Sequence, residues 1–300
     1  MLSRVRFISS VLSHIRVERV NYLARPLGVV VKALPAIRFT KPLALCSGTL
    51  VVYAASPDTK QITLPSLKDV AVVVKKADIL FEENKLQDIL DLLRPYKHLN
   101  NEEISWRISR ASYLLSKSKT LTKAERDALI EESYDMAKMT LQLNENSALG
   151  HKWMSIALDA YNAIQGFRTR CTSLVSVKDH MLKSIELDPS DATVIYMVGM
   201  WYYSIAELAW YQRKVLQAIA GKPPSATYEE ALHFFKKAEE TSPNFYSLNL
   251  LMLGKCHLKL GDPDTAIDYL QRAMNYPKFT EDDHQAHQEA SELLKSLKTR

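Results

Sequence analysis

The stretch from Leu253 to Ala273, LGKCHLKLGDPDTAIDYLQRA, decides the fold. It begins with the adjacent residues Leu253 and Gly254 in a stretch typical of a helix. Gly261-Asp262-Pro263 interrupts this stretch, because glycine and proline favour a turn. Small and apolar side chains resume at Ala266, Leu270 and Ala273, which is the three- and four-residue spacing of one helix face. The stretch therefore predicts two helices joined by a tight turn.

A second helix of this kind lies upstream, where Ala231, Phe235, Ala238 and Pro243 stand at offsets 0, 4, 7 and 12. The small residues allow a close approach to the preceding helix, the aromatic fills the space between hairpins, and the proline ends the helix. This is the spacing of the second helix of a tetratricopeptide repeat. We therefore predict an all-α, tetratricopeptide-like superhelix of helical hairpins.

Further units follow the same register more weakly. The second-helix positions that correspond to Ala231, Phe235 and Ala238 hold Val177, Met181 and Ser184, followed by Pro189, in one unit. In the other unit they hold Ser133, Ala137 and Thr140. The first-helix positions are Val198-Gly199 in one unit and Trp153, Ile156 and Ala157 in the other. Upstream helices are predicted over Leu67 to Glu83, Leu86 to Tyr96 and Glu103 to Lys117. A C-terminal helix from Glu281 to Leu297 is predicted to cap the array, since a solenoid must cover its last apolar face.

Two insertions disturb the repeat. Relative to a period of about 34 residues, about 20 residues are added between Tyr202 and Ala231 and about 8 between Tyr161 and Val177. The longer insertion is predicted to extend or add a helix over residues 205–220 and then to turn at residues 221–224. The shorter, GFRTR at residues 166–170, is predicted to be a basic loop.

The sequence lacks the motifs of common catalytic and metal sites. The sequence contains no glycine-rich phosphate loop, no H-E-x-x-H, no G-x-S-x-G and no C-x-x-C. Its three cysteines are far apart, which supports neither a disulfide framework nor a zinc cluster. His284 and His287 share a helix face behind Asp282 and Asp283, but such a pair at an exposed terminus is a weak metal signal. We expect no enzyme activity, no cofactor and no bound metal.

Positive charge is concentrated at the N-terminus. Residues 1–60 hold nine Lys/Arg against Glu18 and Asp58, a net charge of +7, which leaves 30 basic and 32 acidic residues, a net charge of −2, in residues 61–300. A body without excess positive charge does not indicate a nucleic-acid binder. The acid-poor, amphipathic residues 1–42 predict a mitochondrial targeting segment, with an ordinary basic tail as the alternative.

The remaining N-terminal boundaries follow from composition. Residues 43–57 form a short apolar stretch that is interpreted as a shallow anchor, a sorting signal or a marginal single-pass helix, since a membrane-spanning helix needs about 20 apolar residues. Membrane association is therefore possible through residues 43–55. Residues 58–65 are predicted to be a linker, and residues 66–300 the helical domain.

The register also predicts which side chains line the concave groove, since the first helices of such arrays face it. The lining is His151, Met154, Leu158 and Tyr161, then Thr193, Tyr196, Met200 and Tyr203, then Leu248, Leu251, Lys255 and Leu258. Such an apolar groove suits an amphipathic helix or a lipid chain. A carboxylate clamp would place Lys and Asn at repeat positions 5 and 9, which hold Tyr196 and Met200 in one repeat and Leu251 and Lys255 in another. The alternative is that the inserted helix around Trp210 fills the groove and makes these residues core.

A basic outer surface is the second candidate site. Arg168, Arg170, Arg213 and Lys214, with Gln212 beside them, are predicted to meet an acidic partner such as a tubulin tail or anionic lipid. The alternative is an ordinary solvated charged face.

With the repeats placed, the specific residues resemble those of the regulator of microtubule dynamics family. The resemblance covers about residues 70–298, includes both insertions, and rests on His151-Lys152-Trp153, Lys183 to Thr193 (KSIELDPSDAT), Gly199 to Tyr202, Ala206-Glu207, Trp210 to Arg213, Pro223 to Glu229, Pro243 to Ser247 and Leu253 to Lys255. It implies microtubule association with spindle and chromosome-segregation roles, in the cytoplasm and on spindle microtubules. For some members it implies a mitochondrial or membrane-contact location with lipid binding. The N-terminus looks most like the first, shorter-tailed branch.

Overall fold

The computed structural model describes residues 70–298, so the targeting segment, apolar stretch and linker predicted before residue 66 lie outside the described residues. Within this range the chain forms twelve α-helices and one 3₁₀-helix. They are α1 (Val70–Glu82), α2 (Leu86–Leu93), the 3₁₀-helix (Arg94–Leu99), α3 (Glu102–Leu115), α4 (Lys123–Leu143), α5 (Ala148–Gln165), α6 (Phe167–Leu187), α7 (Ala192–Ala206), α8 (Trp210–Ala220), α9 (Tyr228–Thr241), α10 (Ser247–Lys259), α11 (Pro263–Met274) and α12 (Glu281–Lys298). The all-α prediction is confirmed.

The helices pair as hairpins in chain order. The most extensive packing joins α3 to α4, α5 to α6, α7 to α9, and α10 to α11, and α12 packs on α10 and α11. The predicted second-helix rows are all buried: Ser133, Ala137 and Thr140; Val177, Met181 and Ser184; Ala231, Phe235 and Ala238; Ala266, Leu270 and Ala273. The repeat register predicted from the small residues is therefore confirmed, with α12 at the C-terminal end of the array.

Two glycines allow the paired helices to approach closely. A Cβ placed on Gly199 would lie 2.7 Å from the Phe235 ring, and one on Gly254 would lie 2.7 Å from Cγ of Leu270. Real Cβ atoms essentially never come so near, so the glycine of the first helix and the large residue of the second are complementary in each hairpin. This explains the Leu-Gly step in the sequence.

Helix ends are set by local side chains. Thr122 and Thr227 accept hydrogen bonds from the backbone of Glu125 and Glu230, whose carboxylates accept in return, forming capping boxes for α4 and α9. Gly221, with φ of 78°, ends α8 in a conformation that a residue with a Cβ rarely adopts.

Of the two predictions made for the insertions, the one for the shorter insertion is wrong and the one for the longer insertion is confirmed. Residues 166–170 are not a loop: Gly166 alone, at φ of 120°, separates α5 from α6, and the helix starts at Phe167. One glycine outside the helical region is enough to reverse the chain direction. The longer insertion adds a separate helix, α8, which packs on α6. None of the helices within residues 70–298 combines the length and apolar character needed to cross a membrane.

Candidate binding surfaces

Half of the predicted groove lining is buried. Tyr196, Met200, Tyr203 and Leu251 are 3%, 9%, 7% and 1% exposed, and Met154 and Leu248 are also buried. The half-buried members are His151, Leu158, Tyr161, Thr193, Lys255 and Leu258. The structure therefore places half of the predicted groove lining in the core and leaves the other half only partly exposed.

Tyr196 is covered by residues of neighbouring hairpins. Its ring centroid lies 5.7 Å from that of Phe235 and 5.1 Å from that of Tyr246, the latter in an edge-on arrangement. Tyr246 in turn donates its hydroxyl to Asp282 at the start of α12. Burial is the main cause that raises the pKa of Tyr196 above its ordinary value, because the phenolate would lose its hydration. This part of α7 is a packing surface.

Tyr203, at the other end of α7, is covered by polar groups. Tyr228 packs edge-on against it at 5.6 Å, and Nζ of Lys255 lies 5.8 Å from its ring centre. The hydroxyl of Tyr228 donates a hydrogen bond to Glu207. Burial raises the pKa of Tyr203 as well, so its hydroxyl stays neutral at any ordinary pH.

The lysines near this end of α7 are already paired. Nζ of Lys255 lies 3.3 Å from Glu289 of α12, and Nζ of Lys259 lies 2.7 Å from Glu207. Burial disfavours the charged form of Glu207, but hydrogen bonds from Lys259 and Tyr228 outweigh it and hold the pKa of that carboxyl below its usual value. An incoming carboxylate would have to compete with Glu207 and Glu289 for these cations.

The inserted helix, α8, does not cover the residues predicted to line the groove. The indole of Trp210 is 77% exposed, and α8 packs principally on α6, a second-row helix. Tyr196 and Tyr203 are covered instead by Phe235 and Tyr228 of α9 and by Tyr246, which precedes α10. A cavity beside α7, lined by Tyr113, Ser155 and Met197 among others, measures about 10 Å³ and has room for no more than a water molecule.

The basic residues predicted to form an outer surface differ in their exposure. Arg168 and Lys214 are exposed. Arg213 is half-buried and donates to the carbonyl oxygens of Leu208 at 3.0 Å and Ala206 at 2.9 Å, so it ties α8 to the end of α7.

Arg170 was expected on the surface, and that prediction is wrong. Its guanidinium is buried and forms a two-pronged hydrogen bond with Asp159 of α5, with Nε and one terminal nitrogen 2.9 and 2.8 Å from the two carboxylate oxygens. The reason is the start of α6 at Phe167, which places Arg170 in the first turn facing α5. Gln212 is also buried, and its side-chain oxygen accepts from the backbone N–H of Ala209.

An exposed aromatic surface lies on α8 and was missed in the sequence. Trp210, Tyr211 and Val215 are 77%, 46% and 45% exposed, whereas Leu216 on the opposite face is fully buried. The available signal is the spacing of Tyr211 and Val215, one turn apart, within a stretch from residue 208 to 228 that contains no acid.

Among the acidic and histidine residues near the C-terminus, Asp282, Asp283 and His287 have internal partners. Asp283 accepts hydrogen bonds from Ser247 and Thr280, and Nδ1 of His287 lies 2.6 Å from the carbonyl oxygen of Met274. No group of three or more His, Cys, Asp or Glu side chains suited to a metal occurs in residues 70–298. These side chains fix α12 to α10 and α11.

Comparison with known proteins gives consistent matches. A family model described as regulator of microtubule dynamics protein 1-3 matches residues 73–298. The chain is 40% identical to regulator of microtubule dynamics protein 1 of Mus musculus over 225 residues, which are 75% of this chain and 74% of that protein. It is 30% identical to regulator of microtubule dynamics protein 3 of Xenopus laevis over 236 residues, which are 77% of this chain and 51% of that protein.

The fold also matches a solved structure. A thermophilic TPR protein of Thermus thermophilus superposes with a TM-score of 0.50 at 14% sequence identity, covering 73% of this chain and 97% of that protein. At this identity the likeness concerns the fold, which is a tetratricopeptide-like helical array.

Proposed function

This chain belongs to the regulator of microtubule dynamics family, and from that premise we propose that residues 70–298 are a non-catalytic scaffold that associates with microtubules. The main support for this proposal is the family match over three quarters of the chain. The sequence identity is higher to regulator of microtubule dynamics protein 1 than to protein 3. By the same resemblance, the proposed roles are in spindle and microtubule organisation.

The interior supports a scaffold rather than an enzyme. Buried charges pair across helices, as in Lys152 with Asp191 at 2.6 Å and Arg170 with Asp159 at 2.8 Å. The described cysteines are poor nucleophiles: burial raises the pKa of Cys256 to about 12, and a thiol rather than a thiolate is unreactive. The charged groups inside the body therefore hold hairpins together.

The proposed contact with microtubules is electrostatic. Arg168 and Lys214 are exposed, and neither forms an ion pair with any residue in the described range. Exposed cations attract an acidic surface such as tubulin tails, and this attraction weakens with salt because the screening length shortens. The alternative function, an acyl chain held in the groove, finds no support in lining residues that neighbouring helices already cover.

Co-sedimentation of the full chain with purified microtubules tests the proposal. Binding should fall as ionic strength rises from about 0.05 to 0.3 M, and Arg168→Glu with Lys214→Glu should weaken it at least about threefold at low salt. Lys138→Glu with Lys236→Glu is the matched control, since both lysines are exposed on other helices and the charge change is identical. Equal binding by wild type and the first double variant would refute this contact surface, and salt-independent binding would refute the mechanism.

A further inference from the structure

The outer face of α8, formed by Trp210, Tyr211, Lys214 and Val215, is exposed although it is largely aromatic. The indole of Trp210 is 77% exposed and stacks edge-on against the ring of Tyr211, with centroids 6.0 Å apart. Adjacent exposed aromatic side chains on one short helix mark an interaction surface more often than isolated apolar residues do.

These side chains are not needed to hold α8 in place. Leu216 anchors the opposite face and is fully buried, and Gln212 accepts the backbone N–H of Ala209 at 2.7 Å. Arg213 donates to the carbonyl oxygens of Leu208 and Ala206. The helix is thus fixed by its inner face and its start, which leaves the outer face available to a partner.

Charge identifies the chemistry of that partner. From residue 208 to 228 the chain has no Asp or Glu, while Lys214 and Lys222 are exposed. The nearest preceding acid, Glu207, is bound to Lys259 and Tyr228. The surface therefore combines an indole and a phenol ring with two exposed lysines, Lys214 and Lys222, which form no ion pair within residues 70–298.

We infer that the outer face of α8 docks on an anionic lipid bilayer. Trp and Tyr prefer the level of the headgroups, where the ring is in an apolar layer and its polar atom meets water, and lysines beside them contact lipid phosphate. The helix has 11 residues, and no described helix is long and apolar enough to cross a membrane, so α8 would lie on the surface. This inference does not rest on microtubule association, although Lys214 is common to both.

Trp210 itself reports on this contact. The other three tryptophans, Trp106, Trp153 and Trp201, are 6%, 3% and 0% exposed, so an aqueous quencher of fluorescence reaches Trp210 almost alone. This matters because the basic residues 1–60 can carry the full chain to anionic vesicles without α8. Sedimentation alone would not separate the two, whereas the environment of Trp210 does.

The experiment uses the full chain with vesicles of phosphatidylcholine containing about 30 mol% phosphatidylserine, and with pure phosphatidylcholine vesicles as the uncharged reference. With anionic vesicles, emission should shift to shorter wavelength and acrylamide quenching should fall at least about twofold. Trp210→Phe should abolish both changes. Lys214→Glu with Lys222→Glu should reduce them several-fold, whereas Lys138→Glu with Lys236→Glu should not. Unchanged far-UV circular dichroism shows that each variant remains folded.

Three outcomes would overturn the inference. Sedimentation with anionic vesicles without any change at Trp210 would show that a part of the chain other than α8 binds the lipid. An equal response to both kinds of vesicle would exclude lysine contact with anionic lipid. A shift of Trp210 emission with microtubules but not with vesicles would make the outer face of α8 a protein-binding surface.

Discussion

Lys152 of α5 and Asp191 at the start of α7 form an ion pair of 2.6 Å, and both side chains are only 9% exposed. Asp191 has a second role, because its other carboxylate oxygen accepts the backbone N–H groups of Thr193 and Val194 and so caps α7. One carboxylate therefore starts a helix and joins it to the preceding hairpin.

Asp191→Asn should separate these two roles. Asn caps helices about as well as Asp, but it leaves the Lys152 ammonium buried without its counter-ion. We expect a loss of about 3–5 kcal/mol in the free energy of unfolding, measured in urea. Combining it with Lys152→Met should recover much of that loss, since the buried charge is then gone. If the double variant is as unstable as Asp191→Asn, the cost lies in the cap instead.

Arg168 and Arg170 provide a matched pair two residues apart. Arg170→Ala should destabilise the chain by about 3–5 kcal/mol because it leaves Asp159 buried and unpaired. Arg168→Ala should change stability by no more than about 0.5 kcal/mol, since that side chain is exposed. Thermal or urea unfolding of both variants measures the difference. Similar values for the two would contradict the position of Arg170 in the α5–α6 interface.

The contrast between these arginines also shows how far the sequence could predict the structure. The hairpin register was predictable, because Gly254 and Leu270 belong to a spacing that packing requires in every repeat. The burial of Arg170 was not, because it depends on Gly166 ending α5 without a loop and on Asp159 facing the same interface. A basic five-residue stretch at a predicted insertion is interpreted as surface, because the sequence does not show which of its side chains face the neighbouring helix.

The same limit applies to the candidate site. Tyr196 was correctly assigned to a first helix, but its cover comes from Phe235 and Tyr246, which are far along the chain. Periodicity gives the face of a helix and not what packs on it. Periodicity alone likewise did not predict the exposure of Trp210, since an amphipathic pattern does not say which of two apolar faces of a short helix is buried.

Gly199→Ala should test the close approach of α7 and α9. Its Cβ would lie 2.7 Å from the Phe235 ring, so the ring or the helix must move. We expect a loss of about 1–3 kcal/mol in the free energy of unfolding, from overpacking. Phe235→Leu in the same chain should make the added methyl less costly than it is beside Phe235. An additive effect of the two substitutions would contradict direct steric contact.

Residues 1–60 should determine location. Their acid-poor, arginine-bearing composition leads us to expect that a chain tagged at the C-terminus is found at mitochondria. Deleting residues 1–60 should release it to the cytoplasm, where it could meet microtubules. The control is replacement of the arginines in residues 1–42 by glutamine, which should have the same effect if charge carries the signal. An unchanged location after deletion would refute the targeting role.

The carboxylate of Glu132 in α4 accepts hydrogen bonds from three side chains outside its own helix. Arg94 and Lys97 of the 3₁₀-helix each approach its carboxylate to 2.7 Å, and the hydroxyl of Ser112 on α3 donates at 2.8 Å. Burial alone would raise the pKa of this carboxyl, but the hydrogen bonds from Arg94, Lys97 and Ser112 outweigh it and lower the pKa from 4.5 to about 2. The carboxylate thus joins the 3₁₀-helix and α3 to α4.

This lowered pKa makes the contribution of Glu132 to stability dependent on pH. The native state holds the carboxylate charged when the unfolded chain would already bind a proton, so its stabilisation is fully present above the unfolded pKa of 4.5 and is lost as the pH falls toward about 2. Because Glu132 is 15% exposed, we expect about 2 kcal/mol in total. Urea unfolding of wild type and Glu132→Gln should therefore differ most above pH 5 and converge toward pH 2, whereas Glu131→Gln, at an exposed neighbouring position, should show little difference at any pH. A gap between wild type and Glu132→Gln that stays constant from pH 6 to pH 3 would show that the carboxylate contributes through packing alone.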